Sequence, residues 1–120
     1  MIHGIGIDIV ELDRIEKLME RQSRFLARIL TEAELKRCGS LSGRRKLEFA
    51  AGRFAVKEAF SKAAGTGIGS ELSFQDIETA SDPAGKPYIK SKLFNSRFHV
   101  HASISHSREY AAAQVIIESL

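Results

Sequence analysis

The stretch Phe54-Ala55-Val56-Lys57-Glu58-Ala59-Phe60-Ser61-Lys62-Ala63-Ala64-Gly65 ends a segment, Arg44 to Ala64, that is rich in alanine and phenylalanine. Its apolar residues fall on more than one helical face, so the spacing predicts a long central helix packed on several sides. Gly65 is placed to close that helix. At about 100° per residue Glu58 and Lys62 lie within about 40° of each other, one turn apart, with Gly65 on the same stripe. Such a pair is most often an ordinary surface contact worth a few tenths of a kcal/mol, followed by a glycine cap. The alternative is chemical. An acid for a divalent cation, a lysine one turn later, and backbone N–H groups freed in Gly65-Thr66-Gly67-Ile68-Gly69 would cradle a diphosphate. That glycine run follows a helix and has no Walker lysine, so it is not a doubly wound nucleotide fingerprint.

Working outward, Gly4-Ile5-Gly6-Ile7-Asp8 alternates with the period of a strand: Ile5, Ile7 and Ile9 point one way, Gly4, Gly6 and Asp8 the other. The bare side is a candidate ligand floor, or else a tight crossing of another element. Asp8 stands among glycine and apolar neighbours, as Glu58 does. Burying carboxylates without compensation is costly, so the two acids together call for a shared cation, read here as magnesium on a pyrophosphate.

The remaining elements fit one domain over residues 1–120. Asp13 and Glu16 predict a helix start, as do Thr31 and Glu34, with the first helix running in one or two pieces through the twenties. Leu72 to Thr79, Pro87-Tyr88-Ile89, the alternating run around Val100, Ala102 and Ile104, and Tyr110 to Ile117 predict strands. Asp82-Pro83-Ala84-Gly85 and His106-Ser107-Arg108-Glu109 predict turns.

With 120 residues, 43% hydrophobic and 28% charged, the chain can bury one core. A core of that size leaves little room to enclose a large cofactor, which favours sites completed between subunits. The net charge of +3 suits an anionic partner. The lone Cys38 excludes an internal disulfide framework, and no Cys/His spacing suggests zinc. Neither a signal core nor an apolar run of about 20 residues is present, so a cytoplasmic protein without a membrane segment is expected.

In a helix over 14–28, Arg14, Lys17, Arg21, Arg24 and Arg28 lie within about 80° of one another, a basic stripe suited to an acidic helix. Arg44, Arg45 and Lys46, with Arg53 and Lys57, are further candidates for phosphate contact. His106, at a strand end, could contact a phosphate or move a proton. His99 and His101 share a strand face without a third ligand and are assigned no metal. Gln114 is an amide among apolar neighbours that needs hydrogen bonds, for which a subunit interface is one source. A small basic nucleic-acid-binding protein is the alternative reading, but seven Phe and two Tyr in mostly apolar segments, with no Trp, offer little for bases to stack on.

With Gly4–Asp8, Gly52–Ala63 and Ser105-His106-Ser107-Arg108-Glu109-Tyr110-Ala111 in order, the chain resembles, over its whole length, the bacterial holo-acyl-carrier-protein synthases of the phosphopantetheinyl transferase superfamily. That resemblance implies an α+β fold, an antiparallel sheet packed on the long helix, and a homotrimer with active sites at subunit interfaces. It implies transfer of 4′-phosphopantetheine from coenzyme A to a serine of apo-acyl carrier protein, releasing adenosine 3′,5′-bisphosphate. Asp8 and Glu58 would bind magnesium and act in catalysis with Lys62. Coenzyme A would meet Arg45, Arg53, Ser61, Lys62, Gly65, Thr66, Gly67, Pro87 and His106. The acidic carrier would meet Arg14, Arg21, Gln22, Arg24 and Arg28. The serine proton would go to Glu58 or to a water on the ion; the residues leave both open.

Overall fold

A computed structural model describes residues 1–120 and places strand β1 at Ile2–Glu11, helices α1 at Leu12–Arg21, α2 at Phe25–Ile29, α3 at Glu32–Gly39 and α4 at Gly43–Ala64. A 3-10 turn at Phe74–Asp76 leads into β2 (Ile77–Ser81), β3 (Pro87–Ser91), β4 (Phe98–His106) and β5 (Tyr110–Ser119). The fold is α+β, as expected. β1, β5 and β4 form an antiparallel sheet in that order, and β2 with β3 forms a separate hairpin. No helix is long and apolar enough to cross a membrane.

Helix α4 is central because its sequence lets it be packed on both sides. Ala50, Ala51, Ala55, Val56, Ala59 and Phe60 are all fully buried. The three-stranded sheet covers one side, while α2 and α3 meet the other and Phe74 of the 3-10 turn stacks on Phe54. Small alanines bring the sheet close. A Cβ added at Gly4 would stand 1.9 Å from the Ala63 carbonyl oxygen, and one at Gly6 would stand 1.9 Å from that of Ala59. The bare face of β1 is therefore a floor for the helix backbone, and the reading of it as a ligand floor is corrected.

This close crossing reverses the usual orientation of a strand. Ile5, Ile7 and Ile9 are turned out and remain 59%, 65% and 65% exposed. Ile5 pairs with Ile116, Ile7 with Gln114 and Ile9 with Ala112, so the outer sheet face carries a contiguous apolar strip with Gln114 inside it.

Three local expectations are changed. The N-cap of α1 is Glu11 and makes no side-chain cap bond; Asp13 instead pairs with Lys17 at 2.9 Å, and the Leu12 N–H donates to the Glu109 carbonyl at 2.9 Å. The basic stripe is interrupted, because α1 stops at Arg21 and Arg24 is the N-cap of the five-residue α2. Ser73 and Asp76 form a capping box that winds Phe74–Asp76 into a 3-10 turn, so the strand expected from Leu72 starts only at Ile77. The capping box between Thr31 and Glu34 forms as expected.

Candidate functional site

The crossing of β1 over α4 builds the site. Gly6 lies over Ala59, and two residues farther along the same face Asp8 reaches the stripe that carries Glu58 and Lys62. The Lys62 ammonium donates to Asp8 Oδ1 at 3.1 Å and to the Ile7 carbonyl at 3.0 Å. Lys62 is half-exposed and Asp8 mostly covered, so the ammonium can turn away to a second anion without unfolding anything.

Glu58 is partly buried. That burial, followed by the charge of Asp8, pushes its carboxyl above the usual range, opposed by Lys62 and Arg14. The two acids thus share one field, with more negative charge than one lysine settles. Side chains act on the Glu58 carboxylate through charge alone, those of Asp8, Lys62 and Arg14, and no third His, Cys, Asp or Glu joins the pair. Two carboxylates with open positions suit magnesium, which takes one or two protein oxygens and completes its shell with water and phosphate. The donor set fits.

At the end of α4, Gly65 turns the chain with φ 85° and Gly67 follows with φ 66°. The N–H groups of Gly65, Thr66 and Gly67 do not stand free, as the glycines suggested; all three converge on the Ser61 carbonyl at 3.1, 3.2 and 3.1 Å. The Gly65 N–H also reaches the Lys62 carbonyl at 3.1 Å, so the three donors share two carbonyls and the turn is closed as a helix cap. Ser61 itself is fully buried, its hydroxyl donating to the Glu58 carbonyl at 2.7 Å; it holds the turn rather than a ligand.

Other expected residues lie elsewhere. His106 Nε2 donates to the Glu48 carbonyl at 3.0 Å, where Gly52 leaves room for the ring. From Glu48 to Glu58 the helix rises about 15 Å, so within one chain His106 serves no proton at Glu58. Arg45 is exposed on the first turns of α4, and Pro87 opens β3 at the distant hairpin. Arg53 is half-buried with its guanidinium over the Phe49 ring at 4.5 Å and its Nε without a partner. Lys57 is fully buried and bound to Glu34 at 2.5 Å, so it does not contact phosphate. Sequence reasoning missed that pair: Glu34 was read as a cap alone.

Arg14, Lys17 and Arg21 line an open groove of about 400 Å³ with Leu18, Glu11 and Asp13, the last paired with Lys17. Because Arg14 also acts on the field at Glu58, this groove borders the acid pair. Gln22 and Arg24 lie exposed in the break between α1 and α2, with Arg28 exposed on α2.

Residues 4–115 match the family model of the 4′-phosphopantetheinyl transferase superfamily. The chain belongs to this superfamily. Within it, the chain is 65% identical to a holo-[acyl-carrier-protein] synthase of Bacillus velezensis, over 100% of this chain and 98% of that one. It is 62% identical to the enzyme of the same name from Bacillus subtilis, again over 100% and 98%. The crystal structure of a Bacillus anthracis holo-(acyl-carrier-protein) synthase in complex with CoA (3′,5′-ADP) superposes with a TM-score of 0.92 at 55% identity, covering 100% of this chain and 99% of that one. A Helicobacter pylori synthase in complex with coenzyme A gives 0.82 at 38%, covering 95% and 99%.

Proposed function

We propose that this chain is a holo-acyl-carrier-protein synthase, moving 4′-phosphopantetheine from coenzyme A to a serine of apo-acyl carrier protein. The observation that carries the chemistry is the meeting of Asp8, Glu58 and Lys62 beside the glycine turn, in a chain whose full-length relatives bear that name. The serine oxygen attacks the β-phosphorus of the coenzyme A pyrophosphate, the bond to the bridging oxygen breaks, and adenosine 3′,5′-bisphosphate leaves. Asp8 and Glu58 would hold magnesium, which supplies neutralising charge for the pyrophosphate when bound. Lys62 turns from Asp8 to the phosphates and stabilises the charge that grows on the leaving group. The serine proton passes to Glu58 or to water at the site. Apo-acyl carrier protein incubated with coenzyme A and magnesium should gain the phosphopantetheine mass on its serine; an unchanged mass overturns this reading.

The acidic carrier docks along α1. Reversing Arg14 and Arg21 to Glu should raise the Michaelis constant for carrier protein by about ten-fold or more while that for coenzyme A stays within about two-fold, as expected when charge complementarity sets a protein contact. Equal changes in both would argue against this surface.

The homotrimer rests on two features. Ile5, Ile7 and Ile9 form an apolar strip of a kind that a protein covers with another chain. The residues assigned to coenzyme A also divide between the acid end of α4, the opposite end with Arg45 and His106, and the hairpin with Pro87, which neighbouring copies can bring to the acid end. Ile7→Glu would bury a charge in that contact, so it should yield monomers in sedimentation and lose transfer activity. A trimeric, active Ile7→Glu protein contradicts the assembly.

A further inference from the structure

Lys57 and Glu34 are among the most deeply buried groups of the chain, and the transfer chemistry does not use them. All three protons of the Lys57 ammonium are committed: to Glu34 Oε1 at 2.5 Å, to the Ile29 carbonyl at 2.8 Å and to the Phe74 carbonyl at 3.1 Å. Glu34 is equally saturated. Its Oε1 also accepts the Thr31 N–H at 2.8 Å, and its Oε2 accepts the Thr79 N–H at 2.6 Å and hydroxyl at 2.8 Å. One ion pair therefore joins the end of α2, the start of α3, α4, the 3-10 turn and β2.

A hydrophobic pair of similar volume would spare the desolvation of two charges but would leave the Ile29 and Phe74 carbonyls and the Thr31 and Thr79 N–H groups without partners, so the charges are what hold these segments together. Their position gives that linkage a further consequence. The loop from Gly65 to Ser73 leaves α4 through the Ser61 carbonyl, which accepts the N–H groups of Gly65, Thr66 and Gly67. It returns to α4 at Phe74, whose carbonyl accepts from Lys57. Residues 57 and 61 are one helical turn apart, as are residues 58 and 62 on the adjoining stripe. The loop is thus pinned at both ends to the two turns of α4 that present Glu58 and Lys62.

We propose that the Lys57–Glu34 pair is a positioning device for coenzyme A: it staples the Gly65–Ser73 loop to α4, so that the loop and the acid–lysine stripe meet the phosphates as one rigid surface. This rests on the transferase reading above. Neither residue touches the reacting atoms.

The double variant Glu34→Gln with Lys57→Met removes both charges and the bonds to the Ile29 and Phe74 carbonyls. Calorimetry with coenzyme A should show at least ten-fold weaker binding, and the Michaelis constant for coenzyme A should rise alike. The constant for carrier protein, and kcat at saturating coenzyme A, should stay within about three-fold. Glu34→Gln alone leaves Lys57 its bonds to the Ile29 and Phe74 carbonyls, and the folded protein should keep coenzyme A binding within about three-fold of the parent. A folded double variant that binds coenzyme A as the parent does overturns the proposal.

Should the double variant fail to fold, amide exchange on the unaltered protein decides. The amides of Gly69 and Asp76, bonded to the Leu72 and Ser73 carbonyls at the loop end that Lys57 pins, are expected to exchange less than about a thousand-fold faster than those of the α4 interior. Exchange a thousand-fold faster means that the loop opens while the pair stays intact, and the staple is refuted. This measurement needs no coenzyme A, so a parent protein that fails to bind coenzyme A refutes the transferase reading while leaving the staple to be judged by exchange.

Discussion

Glu58→Gln is expected to give a folded protein that melts at a higher temperature than the parent at pH 7 and transfers phosphopantetheine about a thousand-fold more slowly or worse. The stability half follows from linkage. Burial and the charge of Asp8 raise the Glu58 carboxyl above its ordinary value, so between the unfolded and folded values the native state holds more protons than the unfolded one. Stability is therefore lost as pH rises through that window, and a neutral amide avoids the loss. Below about pH 3, where the carboxyl is protonated in both states, the two proteins should melt alike. The activity half rests on the role proposed above for Glu58 as a charged ligand for magnesium, whose loss is worth about 4 kcal/mol of barrier for a thousand-fold change. Asp8→Ala should be equally inactive but no more than about 1 kcal/mol less stable, because its pairing with the half-exposed Lys62 is screened by solvent. Melting in metal-free buffer at both pH values and carrier labelling followed by mass check these outcomes; full activity in either variant removes the acid pair from the mechanism.

How far the sequence reveals this depends on the range of each signal. Periodicity is local, so the long helix, the alternation of β1 and the hairpin of β4 with β5 could be read from the residues. The acid pair could be read because Asp8 and Glu58 interrupt apolar or glycine surroundings, an anomaly visible without knowing the partner. What escaped is set by contacts distant in sequence. Thr31 and Glu34 signal a cap, and the cap forms, but nothing local says that Glu34 will meet Lys57 and Thr79. Lys57 reads as one more cation of the long helix able to reach phosphate, since nothing local shows that it is buried. The helix turns adjacent residues about 100° apart, which here divides the buried support from the open site. The fate of Gly4 and Gly6 was undecidable from the strand alone, since a ligand and a helix backbone both require absent side chains; Ala59 and Ala63 decide it by lying beneath them.

Gly6→Ala carries the second large effect, and it distinguishes a structural floor from a ligand floor. The new methyl carbon would sit 1.9 Å from the Ala59 carbonyl oxygen and 2.8 Å from the Ala63 nitrogen, both backbone atoms of the central helix that cannot rotate away. β1 must lift off α4, losing contact along the strand, at a cost of about 3 kcal/mol or more. For a chain of this length that lowers the melting temperature by roughly 10 °C. Because Asp8 follows two residues later on the same face, the lift also separates it from Lys62 and Glu58. The surviving folded fraction should therefore show weaker magnesium dependence and a fall in kcat, since reactions of this kind depend on Å-scale placement. Gly52→Ala is the matched control. There the added carbon meets the His106 ring nitrogen and an Ile104 methyl at 3.1 Å, both side-chain atoms able to yield, so a smaller loss of stability is expected with Asp8 undisturbed. If Gly6→Ala melts like the parent and keeps its magnesium-dependent rate, the backbone crossing does not set the position of Asp8.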